Sequence, residues 1–299
     1  MQIRESVDKS TVLRAVTPGG HPLITALWLV GIAVAMVAVV AAALGAGATA
    51  ALLGLGASVV LVAAFVAYQL RLRRFSATLV AAEEALDACD VQRARDLMAP
   101  LLARFHKFPL VQEVAADVLY AAGDPLSAAS LWESAMKRLG APRIAARLVA
   151  AYAALNRGGD ARRVAALVPE DRLASLALAW SELVATGGDR ARGLVLADSL
   201  VADVERSENA TVAAMTAVVA AIADAQRGDR IGMTTKLEAM RVAKPTAHDA
   251  AFLRYLAGVA LREAGDIDGA RREFSLAVDR SPDSIGGALA RRERANLST

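Results

Sequence analysis

Residues 266–269, Asp-Ile-Asp-Gly, are the stretch of the sequence that comes closest to a metal-binding loop. An EF-hand loop needs oxygen ligands at alternate positions, a glycine at the sixth position and a glutamate at the twelfth. Gly269 instead follows Asp268 directly, and the twelfth position counted from Asp266 is Ala277. We therefore interpret Asp266 as the cap of a helix and not as a metal ligand.

The other residues suited to metal or catalytic chemistry are a single cysteine and three histidines, namely Cys89, His21, His106 and His248. One cysteine excludes an internal disulfide and any CxxC pair, and the histidines do not have the spacing of a metal-ligand set. The sequence contains no Walker A, dinucleotide-binding or nucleophile-elbow motif. We therefore expect no enzymatic activity, no cofactor, no metal and no small-molecule substrate.

A small residue followed by aspartate recurs along the chain at intervals of 34, 36, 29, 40 and 37 residues between the aspartates. A period near 34 residues is typical of repeats built from two helices. The six occurrences are Cys89-Asp90, Gly123-Asp124, Gly159-Asp160, Gly188-Asp189, Gly228-Asp229 and Gly265-Asp266. Each pair predicts a turn between two helices.

The last of these units, residues 251–284, shows how one repeat is built. We predict a first helix from about Phe252 to Ala264 that stops at Gly265, since glycine adopts the left-handed conformation of a helix C-terminus. Asp266 then caps a second helix, which ends before Pro282. The unit around Gly159 breaks off at Pro169, so its second helix is expected to be short.

This unit resembles the tetratricopeptide repeat family at offsets 8, 11, 15, 20, 24, 27 and 32 of its 34-residue pattern. The matching residues are Gly258, Leu261, Gly265, Ala270, Phe274, Ala277 and Pro282. At offset 4 the sequence departs from the pattern, because Arg254 stands where the family has a large apolar residue. The resemblance implies an α-solenoid of about six helix pairs over residues 71–299 and a role in binding proteins.

A charge-free run of 56 residues extends from Ala15 to Leu70. A helix of that length would be far longer than the roughly 30 Å hydrocarbon core of a bilayer, so the run must fold back on itself. We predict a cytoplasmic tail at residues 1–20 and a transmembrane hairpin at residues 21–70, with spans at 23–44 and 48–70 and a turn at 45–47. The alternative is a cleaved signal peptide ending near residue 50, but its apolar region would exceed the usual length of about 7 to 15 residues.

The positive charges beside this run predict its orientation. Residues 1–74 contain six basic and two acidic residues, all outside the charge-free run, and the turn between the spans carries none. By the positive-inside rule, both termini lie in the cytoplasm. Trp28 and Tyr68 lie near the same bilayer face, where amphipathic rings tend to anchor. The sequence thus predicts a multi-pass protein of the inner, or plasma, membrane, and its bias toward alanine, valine and arginine suggests a bacterial source.

No glycine or proline occurs between Gly56 and Pro100, and good helix formers continue past the predicted membrane exit near Leu70. We therefore predict that the second span continues without a break into the first helix of the repeat array, near Cys89. The overall fold class is all-α, with the transmembrane hairpin followed by the α-solenoid.

The resemblance implies that a protein partner binds a surface lined by the first helices of the pairs. The predicted contact residues are Met215, Val218, Ile222, Phe252, Tyr255 and Val259, although the same residues could instead pack against neighbouring helices or a terminal helix.

Nucleic acid is not expected, because the 28 basic and 29 acidic residues after position 74 nearly balance. Two functions remain open: a membrane scaffold that assembles a partner at the cytoplasmic face, or a structural or regulatory subunit held in a larger complex through its hairpin.

Overall fold

A computed structural model describes Met36 and residues 48–185, 187–202, 210–242 and 247–297 of the 299-residue chain. Regular structure in these ranges is helical, which confirms the all-α prediction for this part of the chain. The helices are α1 (Ala48–Asp87), α2 (Val91–Phe105), α3 (Pro109–Ala121), α4 (Pro125–Leu139), α5 (Ala141–Ala154), α6 (Gly158–Ala165), α7 (Arg172–Val184), α8 (Arg190–Ala202), α9 (Ala210–Arg227), α10 (Arg230–Val242), α11 (Ala247–Glu263), α12 (Ile267–Arg280) and α13 (Ile285–Asn296).

Most of the predicted transmembrane hairpin lies outside the described residues. The tail at 1–20 and the turn at 45–47 are outside them, as is the first span at 23–44 apart from Met36. Within the part of the chain that is described, no helix has both the length and the apolar character needed to cross a membrane. The hairpin therefore stays a prediction from the sequence.

Helix α1 is the longest helix described and runs for 40 residues, from Ala48 to Asp87. Its backbone is helical throughout, so the prediction that the helix continues unbroken from residue 48 to the neighbourhood of Cys89 is confirmed. The chain divides into two compact units, and among the described residues the division falls between Ala81 and Ala82.

In the unit that begins at Ala82, each helix packs against its neighbours in the chain, as α3 does against α4, α9 against α10 and α11 against α12. The first helices of successive pairs also pack on one another, in the order α5, α7, α9, α11 and α13. Helices joined by short turns and stacked in sequence order bury their apolar faces against the preceding and following pairs. This arrangement is consistent with an α-solenoid.

The turns between paired helices follow the predicted chemistry at five of six positions. Asp266 accepts a hydrogen bond from the backbone N–H of Gly269 at 2.8 Å, and Gly265 before it has a φ of +80°. This confirms that Asp266 is a helix cap. The aspartates that accept the same kind of bond at the other turns are Asp90, Asp124, Asp189 and Asp229.

The turn predicted at Gly159-Asp160 is wrong by about three residues. Helix α6 already begins at Gly158, and the left-handed residue is Asn156, with a φ of +58°. Asp160 lies in the first turn of α6 and forms ion pairs with Arg157 and Arg163 instead of capping the helix. Asparagine tolerates the left-handed conformation, so Asn156 can end α5 where glycine does elsewhere. The short second helix is confirmed, since α6 has only 8 residues.

Alanine and glycine at the helix contacts allow close packing in this unit. A Cβ atom at Gly258 of α11 would lie 2.5 Å from the ring of Phe274 in α12, so this contact requires glycine. Phe274 itself is fully buried. The small residue and the large ring therefore fix how closely α11 and α12 approach each other.

Candidate protein-binding face

The six residues predicted to contact a partner lie close together in the structure, but inside the protein. Three are on α9 and three on α11, and all belong to one hydrophobic core. None has more than 3% of its surface exposed; they are Met215, Val218, Ile222, Phe252, Tyr255 and Val259. Their observed role is therefore the alternative that the sequence left open, namely packing against neighbouring helices.

Burial extends to the equivalent position of every pair from α3 onward. The residues at offset 5 of the repeat pattern are at most 5% exposed, and they are Glu113, Val149, Leu178, Val218 and Tyr255. Four of these are apolar or aromatic, and the fifth is a buried carboxylate. This position of each first helix is thus covered by the protein's own side chains.

An aromatic cluster joins α7, α11 and α12. The ring of Trp180 meets Phe252 edge-on, with 5.2 Å between centroids, and lies 6.4 Å from Tyr255. Tyr255 in turn lies 6.1 Å from Phe274. Edge-to-face pairs of this kind add to the stability gained from burying aromatic area. The cluster therefore links helices of different pairs. It joins α7 directly to α11, although α9 lies between them in the order of first helices.

Helix α13 lies against this core and also contacts earlier parts of the array. Gly286 packs on the backbone of α11, so closely that a Cβ atom there would be 2.4 Å from the nitrogen of Phe252. At the turn after α3, a Cβ atom on Gly123 would be 3.0 Å from that of Ala288. Arg292 also donates a hydrogen bond to the carbonyl of Ala154, at the end of α5. We call the surface formed by Gly123, Ala154, Ala251, Phe252 and Arg262 the α13-binding surface.

An ion pair fixes the second half of α13 on this surface. Arg262 of α11 donates to Glu293 at 2.5 Å, and its other terminal nitrogen lies 2.9 Å from Glu263. Burial alone lowers the pKa of Arg262, but the two glutamates raise it overall, so the guanidinium stays charged. Burial and the nearby Glu293 carboxylate both raise the pKa of Tyr255, which keeps this phenol neutral.

Three aromatic donors in this region are buried without a hydrogen-bond acceptor among the described residues. They are the hydroxyl of Tyr120 and the indole nitrogens of Trp132 and Trp180. Tyr120 lies one turn before Gly123, and burial followed by the proximity of Tyr255 raises its pKa. A buried donor without an acceptor costs free energy, so these groups are places where an added acceptor would stabilise the protein.

Buried carboxylates paired with arginines connect successive pairs elsewhere in the array. Glu113 of α3 accepts hydrogen bonds from Arg143 and Arg147 of α5, at 2.9 and 2.8 Å. Glu273 of α12 accepts from Arg241 of α10 and Arg254 of α11. Each carboxylate is at most 6% exposed. Such pairs hold neighbouring repeats in register, since removing the arginines would leave a buried carboxylate unpaired.

These polar contacts were not predicted from the sequence, although their spacing offers a signal. The partners lie about one repeat apart, with separations of 30, 34, 32 and 31 residues for Arg143–Glu113, Arg147–Glu113, Arg241–Glu273 and Arg262–Glu293. Opposite charges recurring at one repeat length therefore mark inter-repeat ion pairs. No such signal pointed to Trp180, because its aromatic partners do not lie one repeat length away in the sequence.

The residues first considered for metal or catalytic chemistry are dispersed. Cys89 is partly buried at the turn before α2 with a φ of +61°, His106 is exposed, and His21 lies outside the described residues. His248 is buried on α11 with its Nδ1 atom 3.0 Å from the hydroxyl oxygen of Ser281, and burial lowers its pKa. Among the residues described, no three histidine, cysteine or acidic side chains are grouped closely enough to hold a metal ion.

Comparison with known proteins does not assign this arrangement to a family. No family model matches the chain, and no curated protein has a significantly similar sequence.

Proposed function

We propose that this chain is a membrane-anchored scaffold that binds or assembles a protein partner at the cytoplasmic face of the inner membrane. The observation that carries the proposal is the ordered stack of first helices, in which α5, α7, α9 and α11 pack one on the next. Stacked helix pairs form extended surfaces, and proteins built in this way commonly use them to bind other proteins. We infer a binding role from this architecture.

The resemblance to tetratricopeptide repeats supports the same proposal. Five of the six predicted turns have an aspartate cap, and the unit that contains α11 and α12 carries all seven residues that match the family pattern. Proteins of that family generally act as adaptors, so the resemblance favours an adaptor role for residues 71–299. Because fold-level likeness does not identify a ligand, the chemistry of the partner has to come from the surface itself.

The membrane anchor rests on the sequence of the first 74 residues. The charge-free run from Ala15 to Leu70 is long enough for two spans, and basic residues flank both of its ends. We propose that these spans form a hairpin whose two ends face the cytoplasm. The helical array would then lie on the cytoplasmic side of the membrane.

The decisive experiment separates the array from the hairpin as the source of partner binding. The full chain would be purified in a mild detergent beside a chimera in which an unrelated two-span anchor replaces residues 1–70. A partner retained by both proteins at similar yield supports the scaffold. A partner that is retained only with the native residues 1–70 supports the alternative of a subunit held in a larger complex through its hairpin.

Sidedness requires its own measurement. Reporter fusions at each terminus, one active only in the cytoplasm and one active only outside it, should both give a cytoplasmic signal. As a matched control, moving Arg71, Arg73 and Arg74 into the predicted turn at 45–47 should weaken that preference, because the bias of positive charge sets the orientation. An external signal from the wild-type C-terminal fusion would refute the proposed localisation.

A further inference from the structure

Phe108 is exposed, whereas every other aromatic side chain that the structure describes is buried or half-buried. It lies between α2 and α3, directly before Pro109, and 43% of its surface is open to solvent. A single exposed apolar residue is ordinary in itself, so its neighbours decide what it indicates.

The charges beside this exposed ring are positive. Residues 104–108 read Arg-Phe-His-Lys-Phe, and we call them the basic–aromatic segment. Arg104, His106 and Lys107 are exposed, and within the described part of the chain neither Arg104 nor Lys107 is paired with a carboxylate. The next acidic residue along the chain, Glu113, is buried and already bonded to two arginines. The N-terminus of α3, which no side chain caps, adds its partial positive charge at the same place.

Backbone contacts fix the shape of the basic–aromatic segment. The backbone N–H of Phe108 donates to the carbonyl of Phe105 at 2.8 Å, and the side-chain amide of Gln112 donates to the carbonyl of His106 at 2.7 Å. Pro109 favours an extended conformation at the residue before it, and Phe108 has a φ of −86° and a ψ of 118°. The segment therefore presents its ring and its cations on a formed turn, which loses little conformational entropy on binding.

The other fully described connections between helix pairs lack this combination. The connection from α4 to α5 follows the exposed Lys137 and Arg138 but has no aromatic residue. The connection from α6 to α7 has the exposed Leu167 beside the acidic Glu170, and the connection from α12 to α13, residues 281–284, has an aspartate and no basic residue. Among these connections, an exposed ring and unpaired cations therefore coincide only between α2 and α3.

An exposed ring flanked by cations fits the surface of an anionic bilayer. Aromatic rings are enriched at the level of the lipid headgroups, where basic side chains are attracted to anionic lipids and hydrogen-bond to phosphates. A specific protein interface, in contrast, takes about 20 to 30 residues on each side. The segment supplies five residues, so its chemistry favours a lipid surface over a protein partner.

We propose that the basic–aromatic segment docks on anionic phospholipids of the membrane that carries the chain. Phe108 enters the headgroup layer, and Arg104 and Lys107 pair with lipid phosphates. Because the charge-free run at residues 15–70 is proposed to hold the chain in the same membrane, docking is intramolecular and a weak contact suffices. The inference rests on the proposed membrane anchor and adds a second contact to it, one that depends on lipid composition.

An environment-sensitive fluorophore at position 106 tests docking in the full chain. Cys89→Gly removes the native thiol and installs glycine, which has the same left-handed conformation at other turns, and His106→Cys then receives the label. In vesicles that contain phosphatidylglycerol, the emission should shift to the blue and be quenched by nitroxide-labelled lipids. A label on Ser127→Cys should show neither change, because the 13 residues of α3 separate the two positions by roughly 20 Å. Equal responses at the two positions would overturn the proposal.

Charge variants separate recognition of anionic lipid from plain hydrophobic insertion. Arg104→Gln combined with Lys107→Gln should lower the ratio of docked to undocked segment about 25-fold, since each cation near an anionic surface contributes about fivefold. The matched control, Arg93→Gln with Arg95→Gln, removes the same charge from the other end of α2 and should change the ratio less than about twofold. Docking of the unmodified segment should weaken at high salt and in vesicles of phosphatidylcholine alone. Equal docking in neutral and anionic vesicles would contradict the assignment to anionic lipid.

Phe108→Ser tests the ring with little risk to the fold. Serine is a favoured residue at the N-terminus of a helix, so this variant should keep or improve the start of α3 while it removes the aromatic group. Its unfolding temperature should not fall, but the blue shift and the quenching at position 106 should be lost. A folded Phe108→Ser chain that docks as well as its parent would show that the ring is not used and would overturn the proposal.

Flotation with neutral vesicles distinguishes this inference from the proposed anchor. The hairpin needs no anionic lipid, so the full chain should float with phosphatidylcholine vesicles even when the segment is undocked. A chain that floats there but gives no signal at position 106 in anionic vesicles overturns this inference and leaves the anchor standing. A chain that floats only with anionic vesicles, and gives the signal there, refutes the anchor and supports docking. A label that responds to a recovered protein partner and not to vesicles would overturn the lipid assignment in favour of that protein.

Discussion

The pairs α11–α12 and α5–α6 each join two packed helices by a short turn, but different interactions stabilise the turn and the second helix. Between α11 and α12, Gly265 takes the left-handed conformation and Asp266 caps a helix of 14 residues. Between α5 and α6, Asn156 takes that conformation, and the residue before α6 makes no side-chain cap. The longer helix is thus stabilised by local capping and by a buried ring, Phe274, while the shorter helix lacks both.

Helix α6 compensates through a buried ion pair with the next helix. Arg162 donates to Glu182 of α7 at 2.5 and 2.6 Å, and Glu182 also accepts a hydrogen bond from the backbone N–H of Asp189 at 2.7 Å. Burial alone raises the pKa of Glu182, but these donors hold it below its ordinary value overall. The comparison shows that a short helix without a side-chain cap can be stabilised by an ion pair to the next helix instead.

The largest expected effect of a substitution is in the pair α11–α12. Phe274→Ala removes a fully buried ring that packs on Gly258 and should lower the free energy of unfolding by about 3 to 5 kcal/mol. Leu276→Ala, on the same helix but exposed, should change it by less than about 0.5 kcal/mol. Urea unfolding followed by circular dichroism measures both, and similar losses would contradict the assigned packing.

In the pair α5–α6, the ion pair between Arg162 and Glu182 should contribute more to stability than any apolar contact of α6. Glu182→Gln keeps the shape of the side chain but removes the charge facing Arg162, and it should lower the free energy of unfolding by roughly 2 kcal/mol. The control is Asp160→Asn, which removes a more exposed carboxylate on α6 itself and should cost less than about 1 kcal/mol. If both variants unfold at the same urea concentration, α6 does not depend on Glu182.

The same carboxylate should make stability depend on pH. Because the pKa of Glu182 is lower in the folded than in the unfolded chain, its charge stabilises the fold above its unfolded pKa, and this contribution is lost as the pH falls through its folded pKa. The difference in unfolding free energy between wild type and Glu182→Gln should therefore shrink from pH 7 toward about pH 3. A difference that stays constant over this range would contradict the lowered pKa.

The smallest expected effect compares two aspartates that look alike in the sequence. Asp266→Ala removes a helix cap and should lower the free energy of unfolding by about 1 kcal/mol. Asp160→Ala removes no cap, because Asp160 lies inside the first turn of α6, and should cost about half as much or less. Thermal unfolding of the two variants under identical conditions measures this difference, and equal losses would show that Asp266 contributes no more as a cap than Asp160 does inside α6.

Local rules made much of the helical unit predictable. The turns at Gly123-Asp124, Gly228-Asp229 and Gly265-Asp266 follow from glycine's backbone freedom and aspartate's affinity for free N–H groups, which need only neighbouring residues. The turn near Gly159 was misplaced because Asn156 served as the left-handed residue. A glycine was the stronger signal in the sequence, but asparagine also tolerates the left-handed conformation, and α5 already ends at Ala154.

The candidate site was harder to predict, because an apolar residue on a helix face does not reveal whether another helix covers it. Phe252 and Tyr255 have the same types and spacing as residues of an open binding surface. They are buried because Gly286 brings α13 onto α11 and because Trp180 reaches them from α7. Gly286 lies one repeat length after Phe252, and Trp180 lies about two repeats before it, but neither residue type marks a contact in the sequence.

The contact between Gly258 and Phe274 constrains how this pair of helices can change over time. Any side chain added at position 258 would collide with the ring, and any smaller residue at position 274 would leave an empty space beside the glycine. A replacement at one position therefore opens the way for a compensating replacement at the other. In descendants of this sequence, the two positions should vary jointly, with alanine in place of Gly258 accompanied by an aliphatic residue in place of Phe274.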